Sequence, residues 1–343
     1  MHRSLPFMVL LVAIGAVSML LVRIMVRVRV LDHPVARSAH SVPVPTGGGI
    51  GIMAAFMAGM PVAGAIWGSG TQRPASGHFG TAGFIGALAL LCLVSWYDDL
   101  RPRPVAVKLL AQFAAAMVIV ACLLPPATTS TAATLLLAIG SVVWLVFMAN
   151  CVNFMDGMNG LVSGTSLCAC LMLPWLAPAP VAATVIPIAG SMAAAIAGFL
   201  PFNFPRARIF MGDVGSQGCG MVLGTLGLLL AHGGDGGWAV MPLLMSGLLC
   251  DVTFTLLRRW RAGESIVTAH RGHLYQVAHR SGLPCTLLSP LAWGMCLWGG
   301  ALAWLLRHGG IPAWAAFALA AGTQAAWAGY VRHRVRTHPV GRW

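Results

Sequence analysis

Residues 80–108 read GTAGFIGALALLCLVSWYDDLRPRPVAVK. From 80 to 97 nothing is charged, and at about 1.5 Å per residue a helix of that length spans most of a hydrocarbon layer. The run then stops on two adjacent acids, Asp98 and Asp99, followed by Arg101, Arg103 and Lys108. This is the pattern of a transmembrane helix whose end carries a dense patch of charge. Working outward, comparable apolar runs occupy residues 5–23, 48–68, 105–124, 132–149, 160–177, 181–199, 215–232, 236–257, 286–306 and 311–330. The chain therefore reads as an all-α, polytopic transmembrane bundle of about eleven helices, with residues 1–343 forming one integral membrane domain.

Composition excludes a soluble fold: 58% of the residues are hydrophobic and only 8% charged, too few to cover a water-facing surface. The first run follows only Arg3 and lacks a small-residue cleavage site, so it is expected to stay as a helix. Eighteen of the 21 Lys and Arg residues fall in one alternate set of loops, and only Arg3, Arg73 and Arg307 fall in the other. Basic loops are retained on the cytoplasmic side. The expected orientation is N-terminus periplasmic and C-terminus cytoplasmic.

The net charge of +13 suits phosphates of any kind, nucleic acid included. Its confinement to one set of loops makes it topological, and the partners it points to are membrane lipids and phosphorylated substrates, with no nucleic acid. The nine cysteines form no CxxC pair and no zinc spacing. Gly47-Gly48-Gly49 lacks the lysine and strand of a nucleotide-binding loop, and close helix packing is the expected reason for it.

Only eight acids exist: Asp32, Asp98, Asp99, Asp156, Asp213, Asp235, Asp251 and Glu264. All but Asp235 belong to the basic side. Two adjacent carboxylates repel, so the Asp98-Asp99 pair calls for compensation, either from Arg101, Arg103 and Lys108 or from a hard divalent cation. Two further polar breaks enter the same side. In the first, Asn150, Asn153 and Asp156 recur at spacings of three and, if helical, share a face before Gly157 and Gly160. In the second, from Phe202 to Ser216, Asn203 is followed by Gly212-Asp213-Val214-Gly215-Ser216 at a helix start, where free N–H groups favour anions. The last internal loop holds His270-Arg271-Gly272-His273, suited to a diphosphate by hydrogen bonds and charge; zinc and a plain interfacial role are the other readings.

Taken together, these segments resemble the polyprenyl-phosphate N-acetylhexosamine-1-phosphate transferase superfamily, glycosyltransferase family 4. The resemblance runs through nearly the whole chain in order: Asp32-His33-Pro34 with Arg37 to Gly48, Asp98-Asp99, Asn150 to Gly160, Asn203 to Ser216, and His270 to His273. The Pro-rich loop before Gly47 is similar to that of the O-antigen-initiating branch. Many members carry Asp where Asn159 stands, so no metal or proton role carries over there.

The resemblance implies transfer of an N-acetylhexosamine 1-phosphate from a UDP-sugar to undecaprenyl phosphate, in lipopolysaccharide or related envelope synthesis. It implies Mg²⁺, with Mn²⁺ as a substitute, and leaves a homodimer open. Asp98, Asp99, Asp156, Asp213 and Lys108 would be catalytic, with Asp213, Asp98 and Asp99 on the metal. Asn150, Asn153, Asn203, His270, Arg271 and His273 would bind substrate. The other class of function weighed for intramembrane acids is a transporter or proton relay. Against it stand the absence of a repeated half and the gathering of polar groups at one face.

Overall fold

The computed structural model describes residues 4–32, 43–68, 80–101, 103–123, 131–265 and 270–341. Every apolar run coincides with helix. In chain order the helices are α1 (Ser4–Val28), α2 (Gly48–Gly68), α3 (Thr81–Leu100), α4 (Val105–Leu123), α5 (Thr131–Met155), α6 (Leu161–Leu176), α7 (Ala179–Asn203), α8 (Gly212–His232), α9 (Gly237–Leu244), α10 (Ser246–Arg261), α11 (Leu274–Arg280), which lies in no predicted run, α12 (Cys285–Arg307) and α13 (Ala313–Thr337). A two-residue antiparallel pair, β1 (Leu31–Asp32) and β2 (Val44–Pro45), closes the link between α1 and α2. His33 and Pro34, and Arg37 through Ser41 of the first motif, lie outside the described residues.

Eight of the described helices are long and apolar enough to cross a membrane by length and composition, and the α9–α10 pair makes a ninth if it counts as one span. The predicted run 236–257 is that pair, bent by 70°. Two features explain the break. Pro242 cannot donate a helix hydrogen bond, and α12 approaches so closely through Gly299 that a Cβ there would collide with the Leu243 carbonyl. Beyond the bend, α10 turns amphipathic and ends on Arg258, Arg259 and Arg261.

The helices surround α8, whose inner positions are almost all buried. Small residues allow this. A Cβ on Gly49 of α2 would land on the backbone of Gly215, and one on Gly220 would strike the backbone of Met148 and Ala149 in α5. The expectation that Gly47-Gly48-Gly49 serves close packing is met: Gly48 and Gly49 donate their N–H groups to the carbonyls of Phe210 and Met211 at 2.9 and 2.8 Å. At the periphery the polarity reverses. Helix α1 turns Leu5, Val12 and Leu20 outward, as a helix does when its solvent is hydrocarbon.

Helices α3, α5, α7 and α10 end, and α4, α6, α8 and α12 begin, at one end of the bundle, because short connections make successive helices antiparallel. That shared end receives Asp98, Asp99, Asp156 and Asp213.

Candidate active site

Four helix termini build the site. Asp98 and Asp99 close α3, Lys108 stands one turn into α4, Asn153 lies in the last turn of α5, and Asp213 is the second residue of α8. Lys108 Nζ lies 2.6 Å from Asp98 Oδ2 and 2.6 Å from Asp213 Oδ2, joining α3 to α8 through one ammonium. The other oxygen of Asp98 accepts the Arg103 N–H at 2.7 Å, which fixes the turn into α4. Asp99 accepts the backbone N–H of Asp213, at 3.2 Å to Oδ2. The free N–H groups expected at the start of α8 are thus used in part by a carboxylate of the protein itself. Gly212 makes this approach possible: its φ is +72°, and a Cβ there would crowd Asp99 Oδ2 and Thr46 Oγ1.

Asp213 is the most constrained acid of the cluster. Its Oδ1 accepts from Asn153 Nδ2 at 2.9 Å, and its Oδ2 accepts from Gln217 Nε2 at 3.1 Å as well as from Lys108. Asn153 also donates to Ser216 Oγ at 2.9 Å. Asp156 is the opposite case. Helix α5 stops at Met155, one residue before the reading that placed Asp156 on its face, and Asp156 sits in the turn that follows. Among the described residues its carboxylate has neither a hydrogen-bond donor nor a cation. Burial first, and then the like charges of Asp213 and Asp99, push its carboxyl well above the usual carboxylate range.

Not every expected residue faces this cluster. Asn203 is 5% exposed, and its side chain is committed to the fold: Oδ1 accepts from Gly160 N at 2.7 Å and Ser163 Oγ at 3.3 Å, while Nδ2 donates to the Ile209 carbonyl at 3.1 Å. It ties the turn after α5 to the turn before α8. Asn150 lies one turn deeper than Asn153 and pairs with Gln112, its Nδ2 donating to Gln112 Oε1 at 2.6 Å. Gln112 in turn donates to Gln217 Oε1 at 3.0 Å. Neither glutamine was picked out from the sequence. The signal was there, since each is an amide inside an apolar run, four residues after Lys108 or Asp213.

The histidine loop is held from α10. Buried Asp251 accepts from Leu274 N at 2.9 Å, Tyr275 N at 3.2 Å and Thr255 Oγ1 at 3.2 Å, and lies 3.2 Å from His273 Nδ1. These contacts satisfy the first amides of α11 and define the position of the loop, so Asp251 is a loop-ordering residue. The Tyr275 hydroxyl reaches the Phe154 carbonyl at 3.3 Å, bringing the loop against the turn that holds Asp156. His273 is 2% exposed, and its ring stacks on that of His270 with centroids 4.9 Å apart. Burial, His273, Arg259 and Arg258 push His270 down to about 4, so at neutral pH it offers a hydrogen bond rather than a charge. Arg271 remains the cation of this loop, half-buried beside it. Glu264 pairs with Arg259 at 2.7 Å and takes no part in the acid cluster.

The donor set suits a hard divalent ion. Among the described residues no three His, Cys, Asp or Glu side chains enclose a metal on their own. Mg²⁺ does not require that, being commonly held by one or two carboxylates together with phosphate oxygens and water. Asp98 and Asp213 share the Lys108 ammonium with Asp99 close by, and Asp156 has no partner among the described residues, so the cluster carries an excess of negative charge that a bound cation would offset.

The glycosyl transferase family 4 profile matches residues 81–231, the segment that supplies all four clustered acids and Lys108. The chain is 27% identical over 286 residues to the probable undecaprenyl-phosphate N-acetylglucosaminyl 1-phosphate transferase of Bacillus subtilis, covering 81% of this chain and 77% of that protein. It is 32% identical over 139 residues to the undecaprenyl-phosphate alpha-N-acetylglucosaminyl 1-phosphate transferase of Thermotoga maritima, covering 40% of this chain and 42% of that one. A shorter stretch of 87 residues, 25% of this chain and 27% of the other, is 40% identical to the phospho-N-acetylmuramoyl-pentapeptide-transferase of Leuconostoc mesenteroides.

Proposed function

From the chain's membership of the polyprenyl-phosphate N-acetylhexosamine-1-phosphate transferase superfamily, we propose that it moves an N-acetylhexosamine 1-phosphate from a UDP-sugar to undecaprenyl phosphate. The products are undecaprenyl-diphosphate-sugar and UMP. The observation that carries this reading is the Lys108 bridge between Asp98 and Asp213, set beside Asp156, which has no partner among the described residues, at a helix-end surface. A lipid phosphate and a nucleotide diphosphate can meet there from membrane and water respectively. The 81% of this chain that aligns with the Bacillus protein favours undecaprenyl phosphate and an N-acetylglucosamine-type donor. In this reading the product starts O-antigen or a related envelope polysaccharide, and the acid end faces the cytoplasm of a bacterial inner membrane.

An oxygen of the lipid phosphate attacks the sugar-linked phosphorus, and the bond from that phosphorus to the UMP oxygen breaks. A phosphate monoester has its second pKa near about 6. The nucleophile is therefore largely ionised at neutral pH, and no proton need be removed. What the protein must supply is charge compensation and alignment. Mg²⁺ or Mn²⁺ held by Asp213 with Asp98 and Asp99 would neutralise diphosphate charge and order the phosphates. Lys108 carries its ammonium between two helices and can pass it from the carboxylates to an arriving phosphate oxygen. Arg271 and the neutral His270 supply a charge and a hydrogen bond from the opposite loop. Asn153 holds Asp213 and Ser216 in register.

Membranes containing the protein, given UDP-N-acetylglucosamine and undecaprenyl phosphate, are expected to release UMP in a Mg²⁺-dependent manner. A panel of UDP-N-acetylhexosamines, 6-deoxy forms included, identifies the sugar. No UMP release with any of them overturns the transferase reading in favour of a protein without this chemistry.

A further inference from the structure

Beneath the acid cluster, the three helices that carry Lys108, Asn153 and Asp213 each present a second polar side chain one turn deeper. These are Gln112 on α4, Asn150 on α5 and Gln217 on α8. Gln112 and Gln217 are each 1% exposed, and past the acid cluster their helices are built mainly from apolar and small residues. Amides in such a place are costly unless every polar group finds a partner. An apolar side chain of the same shape would pack without that requirement.

The three amides satisfy one another in a chain that leads to Asp213, with Gln112 Nε2 also reaching back to Asn150 Oδ1 at 3.4 Å. Asn150 Nδ2 donates to Gln112 Oε1 at 2.6 Å, Gln112 Nε2 donates to Gln217 Oε1 at 3.0 Å, and Gln217 Nε2 donates to Asp213 Oδ2 at 3.1 Å. Each Gln accepts on its oxygen and donates from its nitrogen, so polarisation accumulates toward the carboxylate. We infer that Gln217, backed by Gln112 and Asn150, is a positioning residue that fixes the Asp213 carboxylate for cation and phosphate.

The consequence is specific to the working site. Asp213 Oδ2 has two donors, Lys108 and Gln217, while Oδ1 has Asn153. When an arriving phosphate draws Lys108 away, Gln217 is the donor among the described residues that still keeps Oδ2 in place. The lower layer also ties α4, α5 and α8 together directly below the residues that must act in concert. A site held by groups whose own rotamers are locked keeps its geometry through ligand exchange.

The inference rests on the reading of Asp213 as a cation ligand, but not on the sugar or the lipid. Its test uses Mn²⁺ as the probe and the purified full-length protein, with bound and free ion separated by their electron paramagnetic resonance signals. Gln217→Met and Gln112→Met keep side-chain length and shape while removing the amide. Gln217→Met is expected to weaken Mn²⁺ binding about tenfold, the scale of one hydrogen bond to a charged group, and Gln112→Met about threefold, the scale of a neutral one. The double variant is expected to match Gln217→Met alone, because severing the last link already disconnects the others. In turnover, the Mg²⁺ concentration for half-activation rises in the same proportion while KM for undecaprenyl phosphate stays put.

Unchanged Mn²⁺ affinity in Gln217→Met overturns the inference, and so do single effects that multiply in the double variant, the signature of two independent packing defects. Should Gln217→Met fail to fold, Gln112→Met decides, since it touches no member of the acid cluster: weakened binding supports the chain, and unchanged binding overturns it. A wild-type protein that binds Mn²⁺ yet releases no UMP removes the proposed reaction and leaves this test intact. One that binds no Mn²⁺ removes the inference.

Discussion

Lys108 compensates Asp98 and Asp213 directly, which leaves Asp156 to be judged by its surroundings. Its raised carboxyl means that the unfolded chain gives up this proton more easily than the folded one. Stability of the metal-free protein therefore falls as pH rises above the ordinary carboxylate range. Asp156→Asn removes that slope. In EDTA the variant is expected to unfold at an equal or higher temperature than the wild type, and to gain less from added Mg²⁺, in a thermal scan at pH 5 and pH 8. A lower melting temperature in EDTA at pH 8 would show Asp156 to be a structural acid. His270 has the opposite sign. Its pKa is held at about 4 against an ordinary 6.5, so the unfolded state takes the proton first. The stability it confers is complete above about 6.5 and is lost as pH falls through about 4. His270→Gln should flatten the acid limb of the melting curve between those values without altering it at pH 8.

At the scale of elements, what is legible in a sequence depends on whether the cause is local. Apolar runs and loop charge are local, and they locate every long helix, leaving out only the short α11 and the division of 236–257 into α9 and α10. The gathering of Asp98, Asp99, Asp156 and Asp213 at one end also follows from them, because antiparallel helices bring alternate termini together. Other features depend on partners far away in the chain. The break between α9 and α10 combines Pro242, which is visible within 236–257, with the close approach of Gly299 of α12 to the Leu243 carbonyl, which is not. Asn203 reads as a site residue by its motif, but its bonds to Gly160 and Ile209 make it a brace. Asp251 is the element-scale residue with the sharpest consequence, since one buried carboxylate satisfies two amides at the start of α11. Asp251→Ala leaves those groups unpaired, at a cost of about 2 kcal/mol for cap and buried partners together. Hydrogen exchange over residues 270–280 should accelerate and KM for the UDP-sugar should rise, while the exchange of α8 stays at the wild-type rate. Equal protection of α11 in the variant would mean that Asp251 does not hold the loop.

On the scale of the whole molecule, the orientation remains to be argued from charge and fold together. The basic set of loops and the four clustered acids lie at the same end, with Asp235 and Arg307 at the other, where the Arg307 guanidinium donates to the Asp235 carbonyl at 3.3 Å. Basic loops resist translocation, and a UDP-sugar is too highly charged to cross the hydrocarbon layer unaided. Both arguments, the second resting on the proposed UDP-sugar donor, lead us to propose that the acid end faces the cytoplasm. They are independent, since the first concerns insertion of the chain and the second the supply of a substrate. A fluorescent protein fused after Trp343 should therefore fold and emit, whereas alkaline phosphatase fused after Gly309, between α12 and α13, should be active only because it reaches the periplasm. The reverse pattern would put the acid end outside and deny it the cytoplasmic pool of nucleotide sugars. Reversal in only one of the two fusions would mean that α13 does not cross. That outcome has a physical basis, because α13 has the lower apolar character of the last two long helices and falls outside the helices long and apolar enough to span. The contacts of α13 argue for crossing: Arg334 donates to the Ser281 hydroxyl and carbonyl at 2.9 and 3.0 Å, anchoring its C-terminal end beside α11 at the acid end. With its far end beginning at Ala313, just past the Arg307 side, the helix traverses the full depth of the bundle, and the expected reading is a cytoplasmic C-terminus.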